Sequence, residues 1–148
     1  MKRFKLILII IICSGLGYSC QDYSAVTPSA CLTVEVKSGE SLVEASSVKV
    51  GEEVLISSCA DADMFSVWTG DPGADYSKKD ERGTDSNNNV TWTNKGTALS
   101  PKDGASISKR YSVPGTYTIT LIATNTSTGS TDLELRTSIA QKTITVTE

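Results

Sequence analysis

Histidine is absent from the 148-residue chain. Its absence excludes Ser-His-Asp and Cys-His catalysis and removes the commonest side-chain ligand of metal ions. The chain also lacks a glycine-rich phosphate loop followed by a helix. Runs of Lys and Arg are missing, and the formal net charge is −3. A negative chain without a basic run binds nucleic acid poorly, so we expect no nucleic-acid partner.

Long apolar runs are scarce, and the longest one, residues 6–13, lies close to the N-terminus. Three basic residues precede this run, and small and turn-prone residues follow it, which is the layout of a secretory signal. As a helix the run would be about 12 Å long, whereas a bilayer needs ~20 apolar residues. We therefore predict that residues 1–19 are a signal peptide and not a membrane span.

Cys20 stands at the predicted cleavage point, directly after the small residue Ser19. This pair resembles the lipobox of bacterial lipoproteins, which implies that Cys20 becomes a lipid-bearing N-terminus on the outer membrane, at the cell surface or the periplasmic face. Acyl chains contribute about 0.8 kcal/mol per buried methylene, so two or three of them hold a protein on a membrane. The alternative is that Cys20 is the first cysteine of a soluble secreted protein.

The predicted mature chain, residues 20–148, has the size of one ordinary domain. Residues 1–19 carry three basic and no acidic residues, so their removal changes the net charge from −3 to −6. Residues 21–30 mix small, polar and proline residues without periodicity, and we predict that residues 20–30 are the lipidated cysteine and a flexible tether. The folded domain is then expected over residues 31–148.

Alternating apolar and polar residues predict short β-strands throughout this domain. The apolar positions that define the predicted strands are Leu32, Val34 and Val36; Val54 and Ile56; Phe65, Val67 and Trp68; Val90 and Trp92; Tyr117, Ile119 and Leu121; Ile144 and Val146. Glycine, Asn, Asp and Ser clusters separate them, and no helical stripe exceeds about three turns. This pattern predicts an all-β fold, an antiparallel sandwich in which Trp68 is the core aromatic. The charged segment 71–89 is predicted to be a long surface loop, and loops of this length are the first place to look for a binding role.

Residues 111–121 read Tyr-Ser-Val-Pro-Gly-Thr-Tyr-Thr-Ile-Thr-Leu, which resembles the most recognisable segment of the polycystic-kidney-disease (PKD) domain. Residues 48–54 resemble the start of the second strand of that family. Residues 66–71 occupy the place of the family's Trp-Asp-Phe-Gly-Asp-Gly motif, with which Trp68, Gly70 and Asp71 match after a shift. The resemblance implies a PKD-like, immunoglobulin-like β-sandwich of about seven strands. In the strand after Pro114-Gly115, we expect Tyr117, Ile119 and Leu121 to face the core, and Thr118 and Thr120 to face water.

Two cysteines, Cys31 and Cys59, remain for the folded domain in an oxidising compartment. A register that places Cys31 opposite Cys59 also pairs Val34 with Ile56, apolar against apolar. We therefore predict a Cys31–Cys59 disulfide on the face opposite the core, the alternative being two reduced thiols. Two cysteines without histidine do not favour a metal site.

Carboxylates are the remaining candidates for chemistry, at Asp61, Asp63, Asp71, Asp75 and Asp80. Their spacing matches no complete twelve-residue calcium loop, so we predict no cofactor, although calcium stays open as a ligand. A hydrolase would need two of these carboxylates within about 5 to 10 Å in a cleft. Solvated acidic loops are the simpler interpretation, and we expect no enzymatic activity.

Exposed aromatic side chains are the other candidates for a binding site, because the C–H faces of sugar rings pack on Trp and Tyr. Trp92 and Tyr76 are the residues we predict for such a role, the alternative for Trp92 being a core face shared with Val90. The PKD resemblance implies a membrane-anchored module that binds a glycan or assists a polysaccharide-uptake system beside an outer-membrane transporter. The alternative function is a structural or adhesive spacer that contacts protein partners.

Overall fold

A computed structural model of the protein describes residues 25–127 and 134–148, apart from the side chain of Asp103. The described residues form β-strands and two short 3-10 turns, Tyr76–Lys78 and Pro101–Asp103, with no α-helix among them. The strands are β1 (Leu32–Ser38), β2 (Ser41–Glu44), β3 (Ser47–Lys49), β4 (Glu53–Ser58), β5 (Met64–Trp68), β6 (Arg82–Thr84), β7 (Val90–Trp92), β8 (Thr97–Leu99), β9 (Ser106–Arg110), β10 (Gly115–Thr126) and β11 (Leu135–Thr147).

These strands form three sheets. The first sheet has the antiparallel order β2-β1-β4-β9, the second has the order β3-β11-β10-β5-β8, and β6 and β7 form a separate hairpin. In the second sheet β3 runs parallel to β11 while the other neighbours are antiparallel. The fold is therefore all-β, as predicted. Two expectations were wrong, because the described residues hold eleven strands, not about seven, and one sheet is mixed.

The register of β1 and β4 is the one that the apolar alternation predicts. Val34 pairs with Ile56 and Val36 with Val54. At the end of this ladder the Cys59 amide donates to the Cys31 carbonyl at 3.1 Å, and the two cysteines form a disulfide with 5.0 Å between their Cα atoms. The predicted disulfide is therefore confirmed. Both of its cysteines are exposed, as expected for the face opposite the core.

One hydrophobic core lies between the two larger sheets, an arrangement consistent with a β-sandwich. The first sheet contributes Val34, Val54 and Ile56, and the second contributes Phe65, Val67, Ile119, Leu121, Ile144 and Val146. The core aromatics are Phe65 and Tyr111, which are 4% and 2% exposed. Because buried and more exposed positions alternate in β4, β5 and the second half of β11, each of these strands buries one face and leaves the other to solvent or to a covering loop.

Trp68 is not the core aromatic that the sequence predicts. Successive side chains of a strand point to opposite faces of the sheet, and Phe65 and Val67 face the core. Trp68 therefore lies on the outer face of the second sheet, where it is half-buried. Thr120 pairs with Trp68 on that same face and is 0% exposed, although it was expected to face water. The hydroxyl of Thr120 accepts a hydrogen bond from the Gln141 amide at 3.0 Å. The part of the outer face formed by Trp68 and Thr120 is therefore shielded from solvent.

The segment before β1 lies against the sandwich. Pro28 is buried, Ala30 packs on the core, and the side-chain amide of Asn125 in β10 donates to the Val26 carbonyl at 2.9 Å. The predicted signal peptide, Cys20, which is predicted to be lipidated, and the first part of the predicted tether lie outside the described residues. The end of the sandwich at which Asn125 contacts Val26 is called the tether end below.

Candidate functional site

The chain leaves β5 through a turn that only glycine fits. Gly70 has φ +84°, and a Cβ atom there would lie 2.8 Å from the backbone N and O of Thr118 in β10. The Gly70 amide donates to the Ala74 carbonyl at 2.9 Å, and the Ala74 amide donates to the Asp71 carbonyl at 2.8 Å. This close approach to β10 fixes where the long segment 71–96 begins, at the end of the sandwich opposite the tether end.

Asp71 fastens this turn to the first sheet. Its carboxylate forms an ion pair with Lys109 of β9 and accepts a hydrogen bond from the Thr69 hydroxyl. Partial burial raises the pKa of Asp71, but the hydrogen bonds from Lys109 and Thr69 outweigh it and hold this pKa below its usual value. Nearby, the buried Tyr111 hydroxyl donates to the Thr69 carbonyl at 2.8 Å. Burial, and then the charge of Asp71, raise the pKa of Tyr111 far above its usual range.

Tyr76 covers the outward-facing indole of Trp68. It opens the 3-10 turn that Asp75 caps, and its ring meets Trp68 edge-on with 5.1 Å between centroids. Gly96 lies against the same indole, since a Cβ atom there would come within 2.7 Å of the Trp68 ring. Segment 71–96 therefore packs on the second sheet through aromatic contacts, and Tyr76 is half-buried by them.

The predicted long loop 71–89 contains regular structure, contrary to expectation. Its second half forms β6, which pairs with β7 so that Arg82 lies opposite Trp92 and Thr84 opposite Val90. Asp85 closes the connecting loop by accepting hydrogen bonds from the amides of Asn87 and Asn89 at 2.8 and 2.9 Å. The sequence signal for this hairpin is the Asp-Ser-Asn-Asn-Asn turn in front of Val90. Because β6 carries no apolar side chain, apolar alternation does not reveal this strand.

Trp92 is exposed on the outer face of this hairpin. It keeps 45% of its surface accessible and Val90 keeps 67%, so the alternative that both share a core face is wrong. The guanidinium carbon of Arg82 lies 4.3 Å from the centroid of the Trp92 ring, a cation–π contact. Gly83 and Thr91, on the other face of the hairpin, are less exposed.

Asn94 connects the hairpin to the 3-10 turn. This residue is 7% exposed, and its side-chain oxygen accepts a hydrogen bond from the Asp75 amide at 3.2 Å. Its side-chain nitrogen lies 3.3 Å from the Thr93 hydroxyl and 3.5 Å from a Glu81 carboxylate oxygen. The amide of Lys95 donates to the Gly73 carbonyl at 2.9 Å. The buried Asn94 side chain therefore contacts three parts of the segment, at Asp75, Glu81 and Thr93.

A polar groove of about 490 Å³ lies between these parts, and we call it the hairpin groove. The residues that line the hairpin groove are Gly70, Pro72, Gly73, Asp75, Lys78, Glu81, Arg82, Thr93 and Asn94. Tyr76 and Trp92, the two residues predicted for ligand binding, are not in this lining but directly adjoin it in the chain, Tyr76 after Asp75 and Trp92 before Thr93. The structure therefore places them in one region but gives them different partners, Trp68 for Tyr76 and Arg82 for Trp92.

Arg82, Lys78 and Asn94 are site residues that sequence reasoning missed. Arg82 becomes visible as a candidate only once the hairpin register places it opposite Trp92. Among residues 25–127 and 134–148, no three acidic or cysteine side chains converge as a metal site. Asp75 instead caps the 3-10 turn, and Asp63 accepts hydrogen bonds from the Thr126 amide and hydroxyl at the tether end.

Comparison with known proteins gives no relative for this chain: no family model, no curated protein and no solved structure matches it. No helix among residues 25–127 and 134–148 has the length and apolar character needed to cross a membrane. The residues of the hairpin groove are therefore the basis of the functional proposal.

Proposed function

We propose that the protein is a lipoprotein, anchored through Cys20 to the outer membrane, whose β-sandwich domain binds a glycan at Trp92 and the hairpin groove. The observation that carries this proposal is the exposure of Trp92, 45% accessible, beside an open polar groove. An exposed aromatic ring of this size offers a rigid apolar surface on which a ligand can pack. The proposed domain is a binding module and not an enzyme.

The chemistry of the hairpin groove suits a sugar. The apolar C–H face of a pyranose ring can pack on the exposed part of Trp92, while its hydroxyls need donors and acceptors beside that ring. Asp75, Glu81 and Thr93 supply oxygen acceptors in the lining, and Lys78 and Arg82 supply donors. An aromatic surface beside many polar groups favours a polyhydroxylated ligand over a purely apolar one.

The immunoglobulin-like, PKD-like type of sandwich is also part of the proposal. Its support is the Tyr117 hydroxyl, which donates to the Val113 carbonyl at 2.8 Å, four residues upstream. Such a tyrosine near the start of a strand, bonded back to the preceding corner, is typical of immunoglobulin-like sandwiches. The ring of Tyr117 also lies 4.4 Å from that of Tyr111, between centroids.

The position of the hairpin groove fits display away from a membrane. Gly70 in the groove wall adjoins Thr118, whereas the Val26 carbonyl is bonded to Asn125, seven residues further along β10. Seven residues of strand span about 23 Å. Six residue steps separate Cys20 from Val26 and cover at most ~21 Å, so a lipid on Cys20 would keep the tether end near the bilayer. The groove would then face outward.

A protein-contacting spacer is the second candidate function. Its support is the outer face of the second sheet near the tether end, where Met64, Leu135 and Ile139 are 47%, 53% and 51% exposed. Their registers place them on the face opposite the core. A partner protein that covered this face would bury these side chains and would leave Trp92 free.

Binding of the purified protein to an array of plant, host and microbial polysaccharides tests the proposal. Trp92→Ala should abolish binding, and Tyr76→Ala should weaken it by loosening the wall of the groove. Leu42→Ala is the matched control, because Leu42 is 51% exposed on the edge of the first sheet and far from the groove in the strand order. If the folded protein binds no glycan, the glycan-binding proposal fails and the spacer becomes the better account.

A further inference from the structure

Arg82 differs from the other two arginines of the described residues. Arg110 forms an ion pair with Glu53, and Arg136 forms one with Glu134. No carboxylate of the described residues lies within ion-pairing distance of Arg82, whose guanidinium is stacked on Trp92 instead. Arg82 also lines the hairpin groove, so it adjoins both the aromatic surface and the polar cavity.

Lys78 is a second cation in the groove lining without an ion-pair partner among the residues that the structure describes. Its neighbour Lys79 differs, since it pairs with Asp80. Two cations that face one cavity repel each other weakly and are both available to a ligand. An anion in the groove would be attracted by both charges.

The two acids of the groove lining already have partners of their own. Asp75 accepts hydrogen bonds from the Ser77 amide and hydroxyl at 2.9 and 2.7 Å. A Glu81 carboxylate oxygen lies 3.5 Å from the side-chain nitrogen of Asn94. Asp75 and Glu81 keep their negative charges, but their hydrogen bonds to Ser77 and Asn94 also hold the segment together. The N–H groups of Arg82 and Lys78 have no carboxylate partner among the described residues, so they are the donors left for an anionic ligand.

We propose that the ligand of the hairpin groove is an acidic glycan, in which a carboxylate or sulfate on the sugar binds Arg82 while the ring packs beside it on Trp92. This inference rests on the proposed glycan-binding function and names its substrate class. A guanidinium presents a planar fork of N–H donors that matches a carboxylate in two hydrogen bonds. The indole below Arg82 fixes the fork in place, so little side-chain freedom is lost when the anion binds.

The negative charge of the whole domain does not oppose this inference at short range. Charges more than about 8 Å apart are largely screened at physiological ionic strength. An acidic sugar in the groove is therefore governed by the charged groups of the lining, where the attraction of Arg82 and Lys78 acts against the repulsion of Asp75 and Glu81. The proposed position of the anion is at Arg82, which pairs with none of these carboxylates. The overall charge of the chain would slow its approach and would make binding depend on salt.

The test compares acidic polysaccharides with their neutral counterparts on the purified protein. The probes are polygalacturonate, alginate and hyaluronate, each beside its carboxyl-reduced form, and dextran sulfate beside dextran. At least one acidic form should bind about tenfold or more tightly than its neutral form, since a charge-assisted hydrogen bond is stronger than a neutral one. Arg82→Gln should remove this preference. Lys102→Gln, which removes the same charge in the 3-10 turn Pro101–Asp103, should keep it.

The possible results of this test bear differently on the acidic-glycan inference and on the glycan-binding proposal. Carboxylate preference without sulfate preference, or the reverse, identifies the anion and supports the inference. Equal binding of acidic and neutral forms, still abolished by Trp92→Ala, overturns the acidic class and leaves glycan binding intact. Equal loss in Arg82→Gln and Lys102→Gln also overturns it, because attraction would then be unspecific. No binding of any form by folded protein overturns both.

Discussion

Removal of the Cys31–Cys59 disulfide should lower stability without changing the native sheet. The bond closes a loop with a sequence separation of 28 residues. In the chain-entropy model, closing a loop of this length restricts the unfolded chain and stabilises the domain by about 3.5 kcal/mol. Domains of this size have a free energy of unfolding of about 5 to 15 kcal/mol. The bond should therefore supply a quarter or more of the total.

Urea unfolding of the double variant Cys31→Ser/Cys59→Ser measures this contribution, with tryptophan fluorescence as the readout. For a slope of about 1 to 3 kcal/mol per molar urea, the midpoint should fall by roughly 1.2 to 3.5 M. The native ladder should survive, because Val34–Ile56 pairing and core packing do not depend on the exposed sulfurs. A midpoint shift below about 0.3 M, or loss of hydrogen-exchange protection in β1 and β4, would refute the reasoning.

Three further changes test other parts of the structure. Gly70→Ala should destabilise the domain by about 1 to 3 kcal/mol in thermal unfolding, because its Cβ would strike the Thr118 backbone, and Gly39→Ala, in open space, should cost less. The lowered pKa of Asp71 means that its ion pair contributes stability above the pKa of the unfolded chain and loses it as the pH falls through the folded pKa. Asp71→Asn should flatten the acid limb of a stability profile below about pH 4, and an unchanged limb would contradict this. Cys20→Ser should move the protein from the membrane fraction to the soluble fraction, and continued membrane retention would contradict lipidation.

The sequence predicts the β1–β4 pair well because two independent signals agree there. Apolar alternation and the position of the cysteines both require the same register, and a slip of one residue would expose Val34. The three-residue strands β3 and β8 carry too few side chains to show a period, so their places in the second sheet depend on tertiary contacts. Local patterns could not have located them.

Trp68 shows a different limit of sequence reasoning. Its neighbours Phe65 and Val67 occupy the core face, and a strand cannot turn Trp68 to that face as well. The outward-facing indole is shielded from water by Tyr76 and Gly96, which lie 8 and 28 positions further along the chain. Burial of a residue on an outer face is set by such distant partners, and the sequence around the residue contains no record of them.

The location of the candidate site follows from the strand order. β5 and β8 are direct neighbours in the second sheet, with Phe65 opposite Leu99, so a short hairpin turn would be enough to join them. The chain instead inserts the segment that carries Trp92, Arg82 and the hairpin groove. The core strands carry the fold, and the insertion is held by its own contacts to Trp68 and Lys109. Substitutions on its outer face can therefore change ligand binding at little cost in core packing, which is the physical reason to look for specificity there.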